Sequence, residues 1–209
     1  MKTAYKSIAT LSLAALISSC GNPADTTTDA EVSEPVEKKT VTAADGVKYV
    51  FTADSKIGFT GSKVTGSHDG GFNTFTGHFT IADGAPVGND HKVTIDMNST
   101  WSDDDKLTEH LKSDHFFDVE NHPESTFDVT GVEKQEDGTY HIAGNFSLHG
   151  VEKNIKIPAS VSKDGDTVKI SSEFDINRKD FGITYPGKQD DLIRDEVIIR
   201  LDLTAQPEA

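Results

Sequence analysis

The segment Glu196-Val197-Ile198-Ile199-Arg200-Leu201-Asp202-Leu203 decides the fold. Val197, Ile199, Leu201 and Leu203 recur at every second position, with Glu196, Arg200 and Asp202 on the alternate face. A period of two is that of a strand with one buried and one wet face. The same period runs upstream through Val168, Ile170, Phe174 and Ile176, through Val151, Ile155, Ile157, Ala159 and Val161, and through Ile142, Phe146 and Leu148. It continues in Phe127 and Val129, then Val93, Ile95 and Met97, then Phe75, Phe79 and Ile81, then Ile57 and Phe59, and finally Val47, Tyr49 and Phe51. The intervening residues are mostly polar, so the sheet is antiparallel rather than buried on both sides. Asp69-Gly70-Gly71, Asp83-Gly84, Asp137-Gly138 and Asp164-Gly165 punctuate the runs as turns. The pattern predicts an all-β domain of about eight strands, closed as a barrel or stacked as a sandwich.

One stretch breaks the alternation. Between Ser102 and Asp114, Asp103, Asp104 and Asp105 suit a helix N-terminus, and Leu107 and Leu111 stand four apart. A single short helix is predicted there, capped by Ser102 and placed between the fourth and fifth apolar runs as a lid or plug.

The chain has 209 residues, of which 34% are hydrophobic, with 20 Lys+Arg against 35 Asp+Glu, a formal charge of −15. No cluster of basic residues exists to grip a phosphate backbone, which excludes a nucleic-acid binder of the usual kind. At the N-terminus, Lys2 and Lys6 precede the apolar stretch Ile8–Ile17, too short for the roughly 20 residues that span a bilayer. Residues 1–19 are therefore read as a signal peptide. Ile17-Ser18-Ser19-Cys20 is similar to a bacterial lipobox, in which the cysteine thiol is acylated and becomes the new N-terminus. Cys20 is the only cysteine, so its acylation leaves the domain with no disulfide, thiolate nucleophile or Cys-ligated metal. Residues 20–45 are Pro, Thr, Ala and acid with no apolar period, and are predicted to be a flexible tether. The domain is expected over 46–205, with 206–209 as a tail.

Eight histidines invite a metal reading, above all His110, His115 and His122. Their spacings match no compact zinc pattern, and no metal site is expected. His68 and His149 fall at predicted turns, where imidazole bonds nearby backbone. No Gly-x-Ser-x-Gly elbow or phosphate loop occurs; Gly58-Phe59-Thr60-Gly61-Ser62-Lys63 only approaches one. No catalytic residue is assigned. What stands out is an apolar block of Trp101, Leu107, Leu111, Phe116 and Phe117, facing inward phenylalanines on the strands. It is either an ordinary core or the wall of a ligand cavity, and pattern alone does not separate the two.

Four segments carry a resemblance. They are Gly61-Ser62-Lys63-Val64-Thr65-Gly66-Ser67-His68-Asp69-Gly70-Gly71-Phe72 with Phe75-Thr76-Gly77; Leu111–Val119 with Pro123 and Phe127; Gly144-Asn145-Phe146-Ser147-Leu148-His149-Gly150-Val151 with Lys153; and Asn177-Arg178-Lys179-Asp180-Phe181-Gly182-Ile183. Over about Tyr49 to Leu203 the chain resembles the YceI-like family of lipid- and polyisoprenoid-binding periplasmic proteins. Asp54-Ser55 stands where the commoner family form has His-Ser. The resemblance implies a lipocalin-like antiparallel barrel that holds an isoprenoid chain, such as a polyprenyl lipid or quinone tail, without catalysis and without a further cofactor. Phe59, Phe79, Met97, Trp101, Leu111, Phe116, Phe117, Phe127, Phe146, Leu148 and Phe174 are then the candidate wall. Arg178, Asp180 and Tyr185 are candidates for the mouth or for bracing strand ends. The expected partners are the isoprenoid lipid and, through acylated Cys20, a membrane, with no nucleic acid. Asn22 after Cys20 suggests the outer membrane in a Gram-negative host, and otherwise the periplasm or cell surface. The competing readings are a His-dependent or metal-dependent enzyme using His68, His110, His115 or His149, and a protein-interaction barrel with a filled core.

Overall fold

The computed structural model describes residues 21–38 and 45–209; the expected signal peptide and Cys20 lie outside them. In chain order the strands are β1 Glu31–Ser33, β2 Val47–Phe51, β3 Lys56–Lys63, β4 Gly66–Phe72, β5 Phe75–Ala82, β6 Ala85–Pro86, β7 Lys92–Asp96 and β8 Thr100–Ser102. After α1, Asp105–Lys112, come β9 Glu124–Lys134, β10 Tyr140–Leu148, β11 Val151–Asp164, β12 Thr167–Asn177, β13 Gly187–Lys188, β14 Asp191–Leu192 and β15 Glu196–Pro207. The predicted all-β barrel with one short helix is the observed architecture. Eight antiparallel strands close in the order β2-β5-β7-β9-β10-β11-β12-β15, and β15 returns to β2.

β15 holds the closure together. One edge pairs with β12 from Glu196 to Ala205, while the other is divided between β3 (Ile198 to Asp202) and β2 (Ala205 to Pro207). Pro207 opposes Tyr49 and the Glu208 N–H donates to Lys48 O at 2.8 Å, so the expected tail at 206–209 belongs largely to the barrel. From β3 the sheet runs on through β4 to the edge strand β8. Alternation does not reveal β4 and β8, because one is mostly glycine and polar residues and the other has three residues. The helix is capped by Asp104, whose Oδ1 accepts the Leu107 N–H at 2.8 Å, not by Ser102. Its one buried residue, Leu111, anchors it over the end of the barrel near β8.

β11 and β12 pair only over Ser160–Asp164 and Thr167–Ser171, and then diverge. The freed edges are filled from the N-terminal segment. Ala30 N–H donates to Asp175 O at 2.9 Å, Asp175 N–H donates to Thr28 O at 3.1 Å, and β1 pairs with Asn154–Lys156 of β11. The Ala30 side chain passes through the seam into the core. Lower down, the fully buried Phe181 meets Phe146 edge-on at 5.2 Å.

Over residues 21–38 this corrects the flexible tether expected over 20–45. Asn22 Nδ2 donates to Glu196 Oε2 at 3.1 Å, Asn145 Nδ2 donates to Val36 O at 2.8 Å, and Val36 N–H donates to Asn145 Oδ1 at 3.0 Å. Lys156–Glu31 and Lys153–Glu34 pair at 2.6 Å, and Lys38 reaches Asp128 at 3.6 Å. The segment is a belt across β15, β12, β11, β10 and β9. Its attachment is made by backbone pairing and polar side chains, for which hydrophobic periodicity has no signal. Asn145→Ala removes both bonds to Val36 and the acceptor for Asn154 Nδ2 at 2.9 Å. It is expected to cost about 1–3 kcal/mol in urea unfolding and to speed protease cleavage within residues 22–38. Unchanged cleavage would mean that Asn145 does not hold the belt.

Candidate functional site

Two apolar cavities lie end to end inside the barrel. The upper, of about 140 Å³, is lined by Phe51, Phe79, Phe127, Ile142, Ile157, Ile170 and Leu203, among others. The lower, of about 110 Å³, lies under the helix and is lined by Phe59, Leu111, Phe116, Phe117, Phe146, Leu148, Ile176 and Ile199, among others. No residue lines both. They are nonetheless neighbours in the wall: Phe127 faces Phe146 across β9 and β10, and Ile199 is two residues from Leu201 on β15. Each is below the ~300 Å³ of an ordinary ligand pocket. Phe174, buried on β12 between Ile170 and Ile176, lines neither and stands at the level between them.

Space in the lumen depends on glycine. A Cβ at Gly77 would stand 2.2 Å from the Phe51 ring, one at Gly70 2.4 Å from Phe59, and one at Gly144 2.5 Å from Phe127. Each phenylalanine thus lies flat across a glycine on a neighbouring strand instead of projecting into the lumen. The glycines are visible in the sequence, but their pairing with these rings needs the register.

Outside the lower cavity is a cleft of about 310 Å³ between α1 and residues 185–193. Lys63, His68, His110, Tyr185, Lys188 and Asp191 give it a polar rim. Phe59, Leu111, Phe116 and Ile193 line both cleft and lower cavity, so these side chains form the partition between mouth and interior. Tyr185 stacks on His115 at 4.6 Å, and His110 Nε2 lies 3.0 Å from His115 Nδ1.

Several expected positions change. Trp101 is 41% exposed and is not wall, because on the short edge strand β8 it is Thr100 that turns inward. Met97 is buried in the core but lines neither cavity. Arg178 is buried rather than at an open mouth: Nε donates to Arg194 O at 3.0 Å, Nη1 to Ile183 O at 2.7 Å, and Nη2 to Asp195 Oδ1 at 3.1 Å. It braces the loop that carries Tyr185 and Ile193. Asp180 is exposed, outside all the cavity linings described, and Tyr185 alone of the three reaches the cleft.

The histidines act locally. His149 Nδ1 is 3.2 Å from Phe181 O, and His68 Nδ1 is 2.8 Å from Asp103 Oδ1, a contact that holds the Asp103 carboxyl below its usual range. Among the described residues no three His, Cys, Asp or Glu are grouped to hold a metal ion. His91, at the rim of the upper cavity, carries no signal in the sequence that would single it out. It is buried, its Nδ1 accepts the Thr80 N–H at 3.3 Å, and burial lowers its pKa.

A closed antiparallel barrel with an apolar lumen and a helix at one end defines a lipocalin-like barrel. The YceI-like domain matches residues 49–205, and the chain belongs to the YceI-like family. A UPF0312 protein of Pectobacterium atrosepticum is 36% identical over 130 residues, covering 58% of this chain and 67% of that protein. A Yersinia pestis UPF0312 protein is 32% identical over 121 residues, 55% of this chain and 62% of its own length. The chain thus spans about two thirds of these relatives. Among solved structures, Burkholderia cenocepacia BcnA superposes with TM-score 0.65 at 22% identity, over 74% of this chain and 98% of that one. A polyisoprenoid binding domain from Saccharophagus degradans, implicated in plant cell wall breakdown, gives 0.64 at 18% identity, over 78% and 100%. These likenesses show the shared fold.

Two tests follow from this geometry. Phe174→Ala, which truncates a buried core ring at the level between the two cavities, is expected to cost about 3–5 kcal/mol in urea unfolding, and an unchanged midpoint would contradict its place in the core. The second concerns acid. Because the folded pKa of His91 is depressed, the unfolded chain takes up its proton first, at about 6.5. The stability due to neutral His91 is therefore present above that pH and lost as pH falls through the folded value. Urea titrations of His91→Gln should show a flatter acid limb than the parent; parallel curves would contradict this.

Proposed function

We propose that this protein is an extracytoplasmic, acyl-anchored binding protein that shelters an isoprenoid-type lipid, a polyprenyl chain or quinone tail, and catalyses no reaction on it. The observation that carries the reading is the apolar lining of the two neighbouring cavities inside the barrel. A branched hydrocarbon has no hydrogen-bonding groups to satisfy, so it needs only shape and apolar area. Burial of one five-carbon unit contributes at most about 4 kcal/mol at ~0.8 kcal/mol per carbon, and a few units offset the cost of association. The name of the Saccharophagus degradans domain supports the same ligand class. Acylation of Cys20 would place the protein on a membrane facing the periplasm or cell surface, the outer membrane in a Gram-negative host. No other cofactor is assigned.

At about 140 and 110 Å³, neither cavity holds a long prenyl chain as it stands. Loading through the cleft then requires the partition of Leu111, Phe116 and Ile193 to turn aside. The test is organic extraction and mass spectrometry of protein purified without detergent. A stoichiometric polyprenyl or quinone species is expected, and Leu111→Arg should abolish it while circular dichroism still reports the barrel. An empty extract from the parent, repeated after exposure to candidate isoprenoids, would refute the reading and favour a filled core.

A further inference from the structure

The belt fixes how far the barrel can stand from its anchor. Asn22 is bonded to Glu196, the first residue of β15. Asn22 follows Cys20 by two positions, a reach of about 7 Å at ~3.3–3.6 Å per residue. A tether of some 25 residues would have let the domain stand clear of the bilayer; the docked belt leaves almost none of that length free.

The belt begins at the end of the barrel that carries the cleft. Arg194 N–H donates to Ser62 O at 2.9 Å, and Arg178 holds the carbonyls of Ile183 and Arg194, so Glu196 and the cleft loop share one rigid frame. At the tip of that frame two apolar side chains stand in solvent. Val64 is 55% exposed and Leu192 49% exposed, and the Val64 N–H donates to Leu192 O at 3.2 Å. Around them Lys63 pairs with Asp191 at 2.6 Å and Lys188 lies two residues from Asp190, with Asp104 across the cleft. An adjacent apolar pair flanked by paired lysine and aspartate, on the frame to which Asn22 is bonded through Glu196, suits a zwitterionic bilayer surface rather than a charged protein partner.

We infer that the docked belt seats the cleft end of the barrel, through Val64 and Leu192, on the bilayer that carries the Cys20 acyl chains. An isoprenoid would then pass between membrane and lumen beneath α1 without crossing open water. This rests on the acyl-anchor reading above, and the experiment separates the two.

The probe is the full acylated chain in vesicles of phosphatidylcholine containing brominated phosphatidylcholine, with Trp101, its one tryptophan, replaced by Phe. Leu192→Trp reports the cleft end. Val47→Trp, 49% exposed and paired with Ile81 of the upper cavity, reports the opposite end. Bromine is expected to quench most of the emission of the first and little of the second. Inserting a long Gly/Ser linker between Gly21 and Asn22, which frees the anchor without undocking the belt, should abolish the quenching while the protein still floats with the vesicles. Equal quenching at both ends, none at either in protein that floats, or quenching that survives the linker overturns the orientation. Protein that does not float, with no acyl mass on Cys20, overturns the anchor reading and the orientation with it.

Discussion

A barrel is stable only if every buried backbone edge finds a partner, and here that requirement is met last at the seam between β11 and β12. Their ladder holds for five residue pairs and then opens. Left open, it would expose unpaired amides and carbonyls beside the apolar lumen. The chain closes it with its own N-terminal residues, which bond Asp175 on one side and β11 on the other and insert Ala30 into the core. The belt is thus part of the wall, and the lumen, the position of the mouth and the reach of the anchor all depend on it.

The lumen itself follows from a trade between aromatic bulk and glycine. Phenylalanines supply apolar area, but eight strands give little room for rings that point to the axis. Laying Phe51, Phe59 and Phe127 flat over Gly77, Gly70 and Gly144 keeps the area and returns the space. Phe174, buried on β12 between Ile170 and Ile176, stands at the level between the two cavities. At the cleft end the arrangement is different: Arg178 donates four hydrogen bonds, to the carbonyls of Ile183, Ile193 and Arg194 and to the Asp195 carboxylate, and ties down the loop bearing Tyr185 and Ile193. A rigid loop facing a helix with one buried leucine leaves α1 as the side of the mouth with fewer attachments.

The inward faces of the long strands are legible in the sequence, because side-chain direction alternates along a strand whatever its partner. Hence the period alone puts Phe59, Phe127, Phe146 and Leu148 on the inward face, and the four-residue spacing of Leu107 and Leu111 is enough to find the helix. Trp101 escapes the same logic for the complementary reason. On a three-residue strand there is no run to set the phase, and pairing with β4 decides it. Arg178 reads as a candidate either for the mouth or for bracing strand ends; the carbonyls that converge on it from residues 183–194 decide for bracing and make its burial favourable.

The N-terminal belt marks the boundary most sharply. Composition correctly indicates that residues 22–38 cannot build a core of their own. It carries no sign that Asn145, Asn154, Asp175 and Lys153, more than a hundred residues away, present the hydrogen-bond partners that order them. An antiparallel all-β domain with an apolar inside and an acidic outside follows from period and composition, which are local properties and can be read along the chain, while its closure as a barrel rather than a sandwich is implied only by the family resemblance. Where the barrel opens, what divides its lumen and how its seam is closed are settled only in the folded molecule, since each depends on a register between segments that lie far apart until the chain brings them together.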